Sequence, residues 1–216
     1  MIIAAHQTML APQGGALPYD AEVEYLESTG TQYIDTGLVV TPAMRMDVDM
    51  AVTDWDASQY SLTGASGIRF TFGKGYTGSS TSSGNATKLY FGLGDRNQPI
   101  SSINLANIKG ERHTFSLDAE TKYWYLDGAG DYIVSVGTIT TGTRPIMLLA
   151  QSTNDNGSVR GQQAAKLYGA TFTDNGVLVR SFVPVRVGQT GYLFDRVSGQ
   201  LFGNAGTGAF TIGPDK

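Results

Sequence analysis

Hydrophobic and polar residues alternate with period two along much of this chain. In the clearest stretch, Met44, Met46, Val48, Met50 and Val52 fall on one side, and Arg45, Asp47 and Asp49 on the other. Residues two apart share a face of a pleated strand, so this predicts a half-buried strand with one wet face. Shorter runs of the same kind are Glu22–Leu26, Gln32–Asp35, Tyr60–Thr63, Ile68–Phe72, Lys88–Leu93, Arg112–Leu117 and Lys122–Leu126. They continue at Tyr132–Val136, Ile146–Gln151, Lys166–Thr173, Val177–Val183, Tyr192–Phe194 and Gln200–Phe202. Turn residues punctuate them: Asp127-Gly128, Asp174-Asn175-Gly176 and Ser198-Gly199 each divide two β-prone runs, as tight hairpins require. Strands so closely spaced, with no helical periods between them, predict an all-β fold, an antiparallel β-sandwich. Only Ser101–Lys109 has room for a helical turn or two.

Three loops stand out in this reading. Gly73–Thr87 is rich in Gly, Ser and Thr and reads as a long mobile excursion, Gly94–Leu105 carries Asp95, Asn97 and Pro99, and Gln151–Gln163 carries Asn154, Asp155, Asn156 and Gly157. Residues 1–21 read as an extended N-terminal arm, either laid on the domain or tethering it to an assembly, and residues 22–216 as one domain. The opening lacks a basic n-region, and its apolar run is broken at His6 and Gln7, so it does not read as a signal peptide.

Composition sharpens the picture. Glycine is 28 of 216 residues, nearly twice the usual ~7%. Charged residues are only 16%, too few for the surfaces of a helical bundle. The net charge of −4 and the lack of a basic run argue against a nucleic-acid partner, and no apolar segment reaches the ~18 residues of a membrane span. The chain has no cysteine and two histidines, which removes disulfides, thiolate catalysis and Cys/His zinc sites.

Two stretches carry a resemblance. One is Val23-Glu24-Tyr25-Leu26-Glu27-Ser28-Thr29-Gly30-Thr31-Gln32-Tyr33-Ile34-Asp35-Thr36-Gly37. The other runs from Lys166-Leu167-Tyr168-Gly169 through Asp174–Arg186 and Gly191–Phe202 to Asn204-Ala205-Gly206-Thr207-Gly208. Together they resemble the concanavalin A-like, laminin-G-like jelly-roll domains frequent in phage and prophage structural proteins and in surface proteins of gut bacteria. The resemblance spans most of residues 22–214, by motif at its two ends and by pattern between them. It implies a jelly-roll sandwich and a non-enzymatic binding or assembly module, most simply a virion component such as a fibre, tail or capsid-decoration protein. Its rim loops would face host glycan or a neighbouring subunit, so carbohydrate or other virion subunits would be its partners, in a homo-oligomer or larger assembly. An exported bacterial surface glycan-binding domain is one alternative, and a glycoside hydrolase another. The motif residues themselves read as architecture. Asp35-Thr36-Gly37 suits a sharp turn, and Pro184 should end a strand or lie on an edge.

Glu22, Glu24 and Glu27 invite comparison with the paired carboxylates of glycosidases, but a solvated strand face explains them better, and no catalytic residue is expected. His113 reads as an alternating polar residue of a strand. Oxygen-rich turns at Asp54–Asp56, Asp95–Asn97 and Asn154–Gly157 offer ligands that calcium accepts, although the spacing is that of ordinary turns and no cofactor is required. A sugar needs an aromatic platform beside polar groups. Trp55, expected to be exposed in its turn, and Tyr76 are candidates, as are Tyr123 and Tyr125, with Trp124 and Leu126 pointing into the core. Asp95, Asn97, Asn154, Asp155 and Asn156 complete the expected binding residues.

Overall fold

A computed structural model of the chain describes residues 16–55, 61–65, 69–74, 87–152 and 158–216. It is an all-β sandwich. The strands are β1 (Ala21–Glu22), β2 (Leu26–Thr29), β3 (Ile34–Val39), β4 (Met44–Asp54), β5 (Ser61–Ala65), β6 (Arg69–Lys74), β7 (Lys88–Gly94), β8 (Arg96–Asn104), β9 (His113–Asp118) and β10 (Tyr123–Leu126). They continue as β11 (Ala129–Tyr132), β12 (Pro145–Leu148), β13 (Gln151–Ser152), β14 (Val159–Arg160), β15 (Ala164–Asp174), β16 (Val177–Val187), β17 (Thr190–Asp195), β18 (Gln200–Phe202) and β19 (Thr211–Ile212). The larger sheet runs β11-β10-β9-β4-β15-β16-β17-β18, with β1, β2 and β19 alongside. The smaller runs β14-β13-β5-β6-β7-β8, with β12 and β3 alongside. Pairing is antiparallel apart from β5 with β13.

The core lies between the sheets. Met44, Met46, Val48, Met50 and Val52 of β4 are all buried, as their alternation predicts. Aromatic pairs cross the gap. Phe72 of β6 stacks on Phe115 of β9 with centroids 4.8 Å apart, and Phe91 of β7 stacks on Trp124 of β10 at 5.2 Å. Such pairs add about 0.5–1.5 kcal/mol each beyond the area they bury, and they fix how one sheet sits on the other.

The hairpins form where the turn residues predict them. Asp127 and Gly128 both take positive φ, as do Asn175 and Gly176, the geometry whose twist matches flanking strands. Three expectations need correction. Gly94–Leu105 is not a loop, because β8 occupies most of it and leaves one 3-10 turn at Leu105–Asn107. β8 ends its sheet, and an edge strand can carry the polar residues and Pro99 that make a sequence look irregular. Asp35-Thr36-Gly37 makes its turn inside β3, with Gly37 N–H donating to the Asp35 carboxylate at 2.9 Å. Pro184 sits inside β16 between β17 and β1. Its carbonyl accepts from Val23 N–H at 3.0 Å, so its nitrogen also faces β1, which covers only Ala21–Glu22.

The two resembling motifs interlock. Tyr33 N–H and Gly206 N–H both donate to the Asn204 side-chain oxygen, and the Gln32 amide donates to the Ala209 carbonyl at 3.1 Å. A Cβ at Gly206 would lie 2.1 Å from the Thr31 carbonyl oxygen, so only glycine allows this approach. Asp195 anchors the neighbouring turn. Fully buried, its carboxylate accepts from the N–H groups of Ser181, Val197 and Ser198 and from the Ser198 hydroxyl. Removing those acceptors strands buried donors. Asp195→Ala should therefore destabilise the domain by about 3 kcal/mol, read as a lowered urea midpoint at unchanged m-value. A midpoint shift equivalent to under about 0.5 kcal/mol would contradict this role.

Candidate functional site

The β10–β11 hairpin carries the most exposed ordered aromatic cluster among the described residues. Alternation along Tyr123-Trp124-Tyr125-Leu126 sends Trp124 into the core, 7% exposed, and turns Tyr123 and Tyr125 to the outer face, as predicted. The rings of Tyr123 and Tyr125 stack with centroids 6.0 Å apart and planes 21° apart. Tyr132 lies directly across the ladder from Tyr123 and meets its ring edge-on at 5.7 Å. Opposite Tyr125 stands Gly130. A Cβ there would lie 2.7 Å from the Tyr125 ring and 1.9 Å from the Trp124 carbonyl oxygen. Glycine at this position lets the ring lie against the edge strand.

Arg45 closes the inner border of this face. Its guanidinium sits 5.1 Å from the Tyr125 centroid and forks onto Asp47, with Nη2 at 2.7 Å and Nε at 3.0 Å, while Asp118 lies 3.9 Å away. The Asp47 hydrogen bonds hold the guanidinium pKa above its ordinary value. A second group continues along the outer face. Arg112 lies 4.2 Å over the Tyr168 ring and pairs with Asp49, Tyr168 meets Tyr25 edge-on at 5.7 Å, and Lys166 lies 4.4 Å over Tyr25. Sequence reading missed Tyr132, Gly130 and Arg45 as parts of the site. The available signal was hairpin register, since a two-residue Asp-Gly turn forces Tyr123 opposite Tyr132.

The other expected residues are scattered. Trp55 is not exposed. It is 4% exposed and lines a cavity of about 270 Å³ with Lys74, Asn104, Leu105 and Lys109. The cause is a bulge: Val52 pairs with Ala165 and Asp54 with Ala164, which leaves Thr53 unmatched. The extra residue reverses the alternation and turns Trp55 inward. Asp95 and Asn97 lie at the far end of the β7–β8 hairpin, exposed. Asp95 accepts from Gly137 N–H at 3.1 Å, and the Asn97 amide lies where a Cβ on Gly92 would come within 2.6 Å of it. Asp95 thus braces the segment at Gly137, and Asn97 lies against Gly92 across its own hairpin. Tyr76, Asn154, Asp155 and Asn156 lie outside the described residues.

His113 also departs from expectation. It shares the inward face with Phe115 and Leu117 and pairs across the sheet with Met50. Its Nδ1 lies 2.6 Å from the Asp127 carboxylate, and its buried Nε2 has no partner. Glu22 accepts from Arg196 at 2.7 Å and from the Tyr19 hydroxyl at 3.3 Å, which places it in a strand-edge ion pair. No group of three or more His, Cys, Asp or Glu side chains able to hold a metal occurs among the described residues. Nor is any described helix long and apolar enough to cross a membrane. No known family's sequence profile matches the chain, and no curated protein matches it.

The Gly137 N–H, helped by the Arg96 charge, holds the Asp95 carboxyl below its ordinary pKa. A lowered folded pKa means that the stabilising contact is complete above the ordinary carboxylate range and is lost as pH falls through the lowered value. The hydrogen-exchange protection factor at Gly137 should accordingly drop in that acid window. With Asp95→Ala it should be low throughout. Constant protection across the window in the unmodified protein would exclude the link.

Proposed function

We propose that this chain is a non-enzymatic binding and assembly module that holds carbohydrate on the outer face of its larger sheet. One observation carries the reading: Tyr123 and Tyr132, 37% and 38% exposed, form with Tyr125 a pre-arranged aromatic surface beside Arg45, Asp47 and Asp118. Sugar C–H faces stack on such rings while their hydroxyls reach the polar border. The rings already rest on one another, so part of the side-chain freedom that binding would cost is given up beforehand. The pairing of Glu22 with Arg196 favours binding over hydrolysis, because a glycosidase needs its acid and its base directed at one bond.

The finer reading is a phage virion component, a fibre, tail or capsid-decoration protein that meets host glycan or a neighbouring subunit. It rests on the resemblance of residues 23–37 and 166–208 to concanavalin A-like, laminin-G-like domains. The platform lies on a sheet face, so recognition would use that face rather than the rim loops first expected to carry it.

A glycan array probed with the purified chain tests the reading. Binding to at least one neutral glycan is expected, weakened about tenfold by Tyr125→Ala, the order of one lost aromatic contact. Array silence, or affinity unchanged in both Tyr123→Ala and Tyr125→Ala, would overturn it. Cleavage of a bound polysaccharide that disappears with Glu22→Gln or Glu24→Gln would favour the hydrolase instead.

A further inference from the structure

We infer that the free edge of β11 is a strand-addition surface for a second copy of this chain, and that Asp131 keeps it closed. β11 ends the larger sheet, and all four of its residues are exposed. Its ladder to β10 fixes which backbone groups are free. Trp124 pairs with Asp131 and Tyr123 with Tyr132, and Ile133 N–H donates to the Lys122 carbonyl at 2.8 Å. Bonded and non-bonded pairs alternate along an antiparallel ladder. Asp131 and Ile133 therefore bond toward β10, while Gly130 and Tyr132 direct their N–H and C=O groups to the open side. Such an unpaired row is a template for another strand. Two copies match it in one register that uses both outward residues. A two-fold axis at Asp131 sets Gly130 of each copy against Tyr132 of the other, and each of these pairs exchanges two backbone bonds.

Asp131 opposes that match in two ways. The axis brings the two Asp131 side chains together at a non-bonded pair, where Cα atoms stand about 4.5 Å apart and like charges disfavour pairing. Within its own chain the Asp131 carboxylate accepts from Tyr132 N–H at 2.7 Å, so one of the two outward donors is already taken. A carbonyl arriving on another strand would have to displace that carboxylate. The neighbouring edge is closed by other means. β8 ends the smaller sheet and faces β11 across a groove of about 410 Å³. Counting from the two-residue turn at Gly94-Asp95, its ladder turns Asn97 and Pro99 outward, and proline has no N–H to offer. Val134 N–H donates to the Gln98 side chain at 3.0 Å and Arg96 Nε to the Ser135 carbonyl at 2.9 Å, which lays the segment after β11 along β8. Charge and proline are the usual means of closing an edge, and here each guards one sheet.

Asp131→Thr removes the charge and frees the Tyr132 donor at an exposed position. Self-association measured by sedimentation equilibrium should tighten about tenfold, and exchange of the Gly130 amide should slow as protein concentration rises. The unmodified chain should show no such slowing at Gly130. The chain has no cysteine, so Asp131→Cys tests the register directly. It places two thiols across the axis at a separation that a disulfide spans. Under diamide it should form covalent dimers, whereas Glu120→Cys, exposed and off β11, should not. The inference is overturned by Gly130 exchange that stays independent of concentration in Asp131→Thr, by concentration-dependent protection of Gly130 already present in the unmodified chain, or by equal cross-linking of the two cysteine variants. None of these readouts involves a glycan, so they stand or fall apart from the tyrosine-face reading.

Discussion

The register of β4 is the constraint on which the rest of the molecule depends. This strand lies between β9 and β15 in the larger sheet, and its side chains serve two surfaces at once. Met44, Met46, Val48, Met50 and Val52 fill the gap between the sheets, while Arg45, Asp47 and Asp49 project outward. A slip of one residue would exchange these sets, burying an arginine and two aspartates where the methionines now pack. Burying unpaired charge costs far more than any outer-face contact returns, so core burial enforces the position of Arg45. Through Arg45 it sets the border of the tyrosine cluster on β10 and β11.

The same strand shows how an irregularity makes a second environment. Perfect alternation beyond Val52 would have turned Trp55 to solvent. The unmatched Thr53 turns it inward instead, and Asp54 outward to Lys109. A second register shift, beside Tyr168 on β15, lets Gly169 pair with Asp49. The Tyr168 ring then lies under Arg112. Bulges leave one residue unpaired, bend the strand and re-aim side chains, and here each accompanies a distinctive side-chain position.

Much of the architecture could be read from the sequence because the physics was local. Alternation in β4, the hairpin at Asp174-Asn175-Gly176 and the inward turn of Trp124 each follow from a few adjacent residues. What escaped was set by distant partners. β8 looked like a loop because an edge strand has only one neighbour to satisfy. His113 reads as the alternating polar residue of its strand because histidine is polar, whereas two-residue spacing from Phe115 and Leu117 puts it on the core side. Trp55 escaped because a bulge is a property of a pair of strands, and neither strand alone displays it. Tyr123 and Tyr125 were legible as outward residues. Their joining into one platform depended on Tyr132 and on the missing Cβ of Gly130, both supplied from across the hairpin.

The charge of the tyrosine face follows from how its cation is engaged. On the tyrosine face Arg45 is matched by the fork onto Asp47, and Asp118 stands beyond it. The local balance is therefore slightly negative, and an incoming anion would find no free cation to meet it. Arg45 acts there chiefly as a support for the Tyr125 ring, and the proposal for this face is accordingly a neutral polyol that stacks and shares hydroxyl hydrogen bonds, not an anion.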